Sequence, residues 1–185
     1  MKTYIENPNP ELYNLLKWLN GCTSKDPKRL SLQAINIKNR FRLEATNGFV
    51  AVVAILEAPI KYYADLDDGQ WFIESITKKL AVLVRAEEIT FPDISVILNT
   101  LHLVDSHAFA CVNPAVLAPA MAGFERASIN IYNERASIEI VLNGDNFPDG
   151  TYIATVMPLW HDHPTEGIMN DAFSKLVSDK SNNVL

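Results

Sequence analysis

The residue types best suited to chemistry cluster near the end of the chain, in Trp-His-Asp-His-Pro at 160–164. His161, Asp162 and His163 offer two imidazoles and a carboxylate, and His102 and His107 could add ligands from another loop; such donors bind zinc when four converge tetrahedrally. In a strand His161 and His163 share a face, but two histidines supply half of that set. No paired cysteines and no His-Glu-x-x-His spacing complete it. They read as surface residues after the last strand, so the expectation is no metal and no cofactor. Cys22 and Cys111 are the chain's two cysteines. Neither lies in a motif that pairs it with a histidine base, and both read as small apolar fillers. A Gly-x-Ser-x-Gly elbow and a Gly-rich phosphate loop are both missing from the sequence, whose seven glycines are scattered. The expectation is not an enzyme, with a hydrolase using His161 or Cys111 left open by the absence of motifs.

Charge is the next signal. The net charge is −6 over 185 residues, which argues against a generally basic surface. Its distribution is lopsided: residues 1–42 carry eight Lys and Arg against three Asp and Glu, and the remainder carries eight against nineteen. A basic cluster of this kind recruits polyanions when its charges converge in space and is otherwise a solvated face. Hydrophobic residues make up 48%, enough for one domain with a real core or two small ones. Two cysteines fit a reducing compartment. No basic segment followed by an apolar run opens the sequence, and no apolar stretch approaches the ~20 residues that cross a bilayer. A cytoplasmic protein with no membrane partner is expected.

The elements that must position these residues follow from periodicity. Asn9 suits an N-cap, Pro10 the first turn, and Leu12, Leu15, Leu16 and Leu19 keep helical spacing up to Gly21. Alternation then predicts a strand through Leu30, Leu32, Ala34 and Ile35, and a second through Phe41, Leu43 and Ala45. A near-continuous apolar strand follows from Phe49 to Leu56. The Asn47-Gly48 pair between the last two suits the positive φ angles of a tight two-residue turn. The order recurs at the end of the chain: a strand over 108–112, a helix from Pro114 to Phe124 disturbed by Pro119, then strands over 127–133, 136–142 and 151–159. Between the two units, Gln70–Glu74 reads as a strand and Thr77–Ala86 as a helix, although Val82 and Val84 would also suit a strand. Residues 167–179 read as a short amphipathic helix before a polar tail. The boundaries expected are 1–62 for a first half, 63–104 for an insertion, 105–160 for a second half and 161–185 for a C-terminal helix and tail.

Three short segments, in order, carry a resemblance. Residues 35–56, with their strand pair leading into Ala45-Thr46-Asn47-Gly48 and a further apolar strand, resemble the middle segment of the bacterial DNA polymerase III β subunit, the sliding clamp. Asn47 stands where that family usually has Asp, and Phe49-Val50-Ala51 where His-Arg-Leu is common. Thr90–Leu98 resembles the family's Phe-Pro-Asp linker, and Thr151–Trp160 its closing strand, which ends Val-Met-Pro. The resemblance covers about residues 29–160 and suggests an abbreviated or phage-like member, since family chains are about twice this length. It implies an α+β, DNA-clamp-like fold of repeated helix-plus-antiparallel-strands halves (β-α-β-β-β), forming one clamp domain or two short ones.

Further expectations come with the resemblance. Thr46, Gly48, Phe49 and Ala51 would form one wall of an apolar groove for partner peptides, and Val156, Met157, Pro158 and Leu159 the other; the competing reading makes them strand-end core residues. Duplex DNA would be met without sequence preference by Lys17, Lys25, Lys28 and Arg29 at the first helix and its exit, and by Lys78, Lys79 and Arg85 on the second helix. The helix from Pro114 carries no basic residue, which weakens a ring lined on every side. Partners would be DNA, a DNA polymerase or other clamp-binding peptides, and further copies of the chain in a homo-oligomer. The function implied is a replication processivity or scaffold protein; the alternative is a peptide-binding module of clamp fold without DNA binding.

Overall fold

The computed structural model describes residues 1–87, 89–94, 114–131 and 138–156. The elements are β1 (Lys2–Glu6), α1 (Pro10–Gly21), β2 (Ala34–Lys38), β3 (Arg42–Thr46), β4 (Val50–Leu56), β5 (Gly69–Ile76), β6 (Leu80–Ala86), α2 (Pro114–Met121), β7 (Arg126–Ile131), β8 (Ile138–Asn143) and β9 (Gly150–Val156). Among the described residues the nine strands form one sheet in the order β1-β6-β5-β2-β3-β4-β9-β8-β7, with every pairing antiparallel. The helix-then-three-strands unit does occur twice. The two copies meet along a seam where β4 pairs with β9, in register from Val50 opposite Val156 to Leu56 opposite Gly150.

Helix α1 starts where its cap directs: the Asn9 side-chain oxygen accepts the Leu12 amide at 2.7 Å and Pro10 occupies the first turn. Leu12, Leu15, Leu16, Trp18 and Leu19 are buried against the sheet. They join Ile35, Ile37, Leu43, Val50, Val52, Ala54, Tyr152, Ala154 and Val156, the inward-facing positions of the central strands, in one core. β4 is apolar almost throughout because both its faces are covered. Its other face sets Ala51 and Val53 against Phe91 and Ile94 in a second, smaller core.

Four expectations need correction. Thr77–Ala86 is a turn followed by strand β6; Thr77 Oγ1 accepts the Lys79 and Leu80 amides at 3.3 and 3.0 Å, and the β-branched Val82 and Val84 continue as strand. Leu30–Leu32 is a 3₁₀ turn, so β2 begins only at Ala34. The β3–β4 connection places Gly48 alone at positive φ (+93°), while Asn47 closes the turn through its side chain, accepting the Phe49 and Val50 amides at 2.9 Å each. Strand β1, unforeseen from the sequence, pairs with β6 at one end of the sheet. The strand expected over 108–112, the helix expected over 167–179, His102, His107, Cys111, His161 and His163 lie outside the described residues.

Candidate docking groove

The turn between β3 and β4 shapes the site. Thr46 Oγ1 donates to the Val50 carbonyl at 2.7 Å and accepts the Gly48 amide at 3.1 Å, which fixes the hairpin end from inside. Gly48 is needed for its φ, which suits few other residues; a Cβ there would meet only the flexible ends of Arg29 and Leu32, at 3.3 and 3.6 Å. With the turn so held, Phe49 projects outward and is 56% exposed, unusual for a large apolar side chain beside a buried strand.

Four of the residues expected in a groove line one cleft of about 130 Å³: Thr46, Gly48, Phe49 and Ala51. Leu32, Pro92, Asp93 and Ile94 complete it with Thr155. Val156 does not take the expected place in the opposite wall. Period-two alternation along β9 sends Tyr152, Ala154 and Val156 into the helix-side core, where Val156 is fully buried, and leaves Thr155 facing the cleft. Met157, Pro158 and Leu159 lie outside the described residues. Thr155 is 1% exposed and its hydroxyl has no hydrogen-bond partner among the described residues.

A second, wider cleft of about 430 Å³ adjoins the first and shares Phe49 with it; Lys25, Asp26, Arg29 and Asn47 are among its lining residues. Three of the basic residues named from the sequence, Lys25, Lys28 and Arg29, therefore stand on the exposed loop after α1. Lys17, exposed on α1, lies with its ammonium 5.7 Å from the Tyr13 ring centroid. The other three are elsewhere and on no helix. Lys78 and Lys79 occupy the β5–β6 turn, and Arg85 on β6 sits over the Trp71 ring at 5.5 Å while donating to the Asp68 carbonyl at 3.0 Å.

Catalytic chemistry finds no support in the described residues. Burial pushes the Cys22 thiol up to about 12, partly opposed by the Lys25 charge, and a neutral, buried thiol is a poor nucleophile. No group of three or more His, Cys, Asp or Glu able to hold a metal ion occurs among the described residues. Nor does any described helix have the length and apolarity to cross a membrane. Among the described residues the one buried carboxylate is structural: Glu44, fully buried, meets Arg42 Nε at 2.6 Å, Lys38 Nζ at 3.0 Å and Asn36 Nδ2 at 3.1 Å across β2 and β3.

Sequence could have located Leu32, Pro92, Ile94 and Thr155 only in part. Thr155 was available from the period-two pattern of β9; the other three reach the cleft through tertiary packing.

No family model and no curated protein sequence matches the chain. Solved structures do. The DNA polymerase III subunit beta of Borrelia burgdorferi, determined in complex with a natural product, superposes with a TM-score of 0.54 at 12% identity, over 86% of this chain and 64% of that one. The sliding clamp of Bacillus subtilis (TM-score 0.46, 10% identity, 87% and 64% covered) and the pol III beta of Caulobacter crescentus (0.39, 12%, 86% and 66%) are also similar. The chain thus spans about two thirds of the length of these clamps. Two helix-plus-three-strand units joined through β4 and β9, with both helices packed on one face of a continuous antiparallel sheet, give this chain the fold of the bacterial DNA polymerase III β sliding clamp.

Proposed function

We propose that this protein is a non-enzymatic, clamp-like docking scaffold whose apolar cleft takes an extended peptide through one apolar anchor. One observation carries the reading: Thr46, Gly48, Phe49 and Ala51 face Pro92, Ile94 and Thr155 across a single apolar cleft, with an exposed aromatic ring at its rim. A rigid Pro and apolar strand side chains suit a hydrophobic anchor delivered by an extended backbone. A DNA polymerase or another replication protein presenting such a segment is the partner that the fold suggests. The test is fluorescence anisotropy of a labelled nonapeptide with a central Leu-Phe pair flanked by serines. Saturable binding abolished by Phe49→Asp and retained by Lys78→Ala is expected; equal binding by the Phe49→Asp variant would sink the reading.

Contact with duplex DNA, as part of a processivity role, is favoured by a separate observation, the grouping of Lys17, Lys25, Lys28 and Arg29 on α1 and its exit. Against it, Lys17 is the one basic residue on either described helix. Encirclement would need more than one copy, since the chain spans 64% of its neighbour; the sheet ends at β1 and β7 would be the places to join. Light scattering with a nicked circular duplex separates the readings: an oligomer retained on the circle and released on linearisation supports a clamp, and a monomer indifferent to DNA leaves docking alone.

A further inference from the structure

We infer that the docked peptide carries an acidic residue beside its apolar anchor, read by Lys25 and Arg29. The inference rests on the docking reading above and adds its charge chemistry. The apolar cleft and the wider polar one adjoin at Phe49, which lines both. In an extended chain alternate side chains share a face, so the side chain two positions from an anchor seated against Phe49, roughly 7 Å along, reaches the polar cleft.

The polar cleft is cationic and poised. Lys25 Nζ is held by three neutral oxygens, the Asn20 carbonyl at 3.0 Å, Asn20 Oδ1 at 3.3 Å and Thr23 Oγ1 at 3.3 Å. Among the described residues no carboxylate lies within salt-bridge distance of it. Among the described residues Arg29 has one loose ion-pair partner: its Nε is 3.8 Å from Asp26 Oδ2, between side chains both about half exposed. Its Nη1 meanwhile reaches the Gly48 turn at the rim of the apolar cleft. Asp26 itself is already engaged, accepting the Lys28 amide at 2.9 Å. Lys25 and Arg29 against Asp26 leave the polar cleft net positive on a protein of net charge −6, while Asp93 lines the apolar cleft beside it. An acidic partner is repelled by most of the surface and attracted here, which fixes where its charge can sit and hence the register of its anchor. An incoming carboxylate would take charge-assisted bonds from the Lys25 ammonium and the Arg29 fork.

The experiment compares three labelled nonapeptides sharing the central Leu-Phe pair and flanked on both sides by Asp-Glu, Ser-Ser or Lys-Lys. At low salt the acidic peptide should bind about five- to tenfold more tightly than the serine one, as two half-exposed charge contacts allow, and the advantage should shrink as salt is raised. Lys25→Gln with Arg29→Gln should erase the advantage, so that the acidic and serine peptides bind alike. Because Arg29 packs on the Gly48 turn, Lys25→Glu alone is the second variant; folded by circular dichroism, it should reverse the preference towards the lysine-flanked peptide. Equal binding of all three flanks overturns the inference while the docking reading stands. Failure of every peptide to bind removes both. Duplex DNA binding that is lost in the double variant, with no discrimination between flanks, would assign these cations to phosphates and overturn it as well.

Discussion

The two helix-plus-three-strand halves share an element order and differ in how they fill their share of the core. In the first, α1 runs 12 residues and buries five large side chains. In the second, α2 runs eight residues, contains Pro119 and buries Ala120 alone; the ring at Pro119 removes a donor and ends regular helix within about a turn. Aromatic rings take the space that a longer helix would fill. Phe124 stacks on Phe147 at 4.0 Å, and both lie edge-on to Trp18, which reaches over from α1 and donates to the Ala120 carbonyl at 2.8 Å. A repeated topology thus fixes the seam and the sheet order but leaves the interior free to be packed in unlike ways. The first half supplies the turn that shapes the clefts, while Thr155 of the second half and Pro92–Ile94 complete the apolar one.

The seam should be the most sensitive place, because both halves depend on it. Gly150, the first residue of β9, pairs with Leu56 at the end of β4, and a Cβ there would lie 2.4 Å from the Ile55 carbonyl oxygen and 3.0 Å from Leu56 Cα. Both are backbone atoms that cannot turn aside. Gly150→Ala should cost at least about 3 kcal/mol, among the largest single-site effects, read as the shift of the urea midpoint. A loss under about 1 kcal/mol would mean that the halves do not meet along this line.

The contrast between the helices gives the next largest effect. Leu16→Ala opens a cavity in the fully buried face of α1 and should cost about 2–5 kcal/mol. Leu117→Ala, on the half-buried face of α2, should cost about 1 kcal/mol. Equal losses would mean that the second half relies on its helix as much as the first does.

The same contrast explains what could be read from the sequence. Asn9, Pro10 and the leucines of α1 are local signals, and the helix starts and stops where they place it. The apolar run of β4 was also local, whereas Thr46, Gly48, Phe49 and Ala51 were named through the family resemblance and share one cleft because one turn groups them. Where the reading failed, tertiary context won. Thr77-Lys78-Lys79 looks like the opening of a helix until Ala81 is held in register by both β1 and β5. The β2–β3 turn went unread because Arg40 sits beside Asn39 at positive φ, 64° and 53°, held by its amide bonding Asp68 Oδ1 at 2.7 Å from far along the chain. No local pattern announces that Pro92 and Ile94 cross back over β4.

The smallest effect distinguishes the halves by pH. Each buries a weak acid beside Trp18: Cys22 after α1, held up to about 12 by desolvation, and Tyr152 on β9, also held above its ordinary value chiefly by desolvation. In the unfolded chain the thiol loses its proton from about pH 9 and the phenol from about pH 10. Above those values the unfolded state binds fewer protons than the folded one, so stability is fully present below pH 9 and falls as pH rises towards the folded values. The slope is at most about 1.4 kcal/mol per pH unit for each group. Cys22→Ala should flatten the fall between pH 9 and 10 without removing the steeper one above it. Tyr152→Phe should blunt the upper fall and leave the lower one in place; Tyr63, also shifted up by burial, keeps part of it. Urea titrations at half-unit intervals would show the two breaks separately. A stability flat from pH 8 to 10.5 would mean that neither half excludes water from its buried acid.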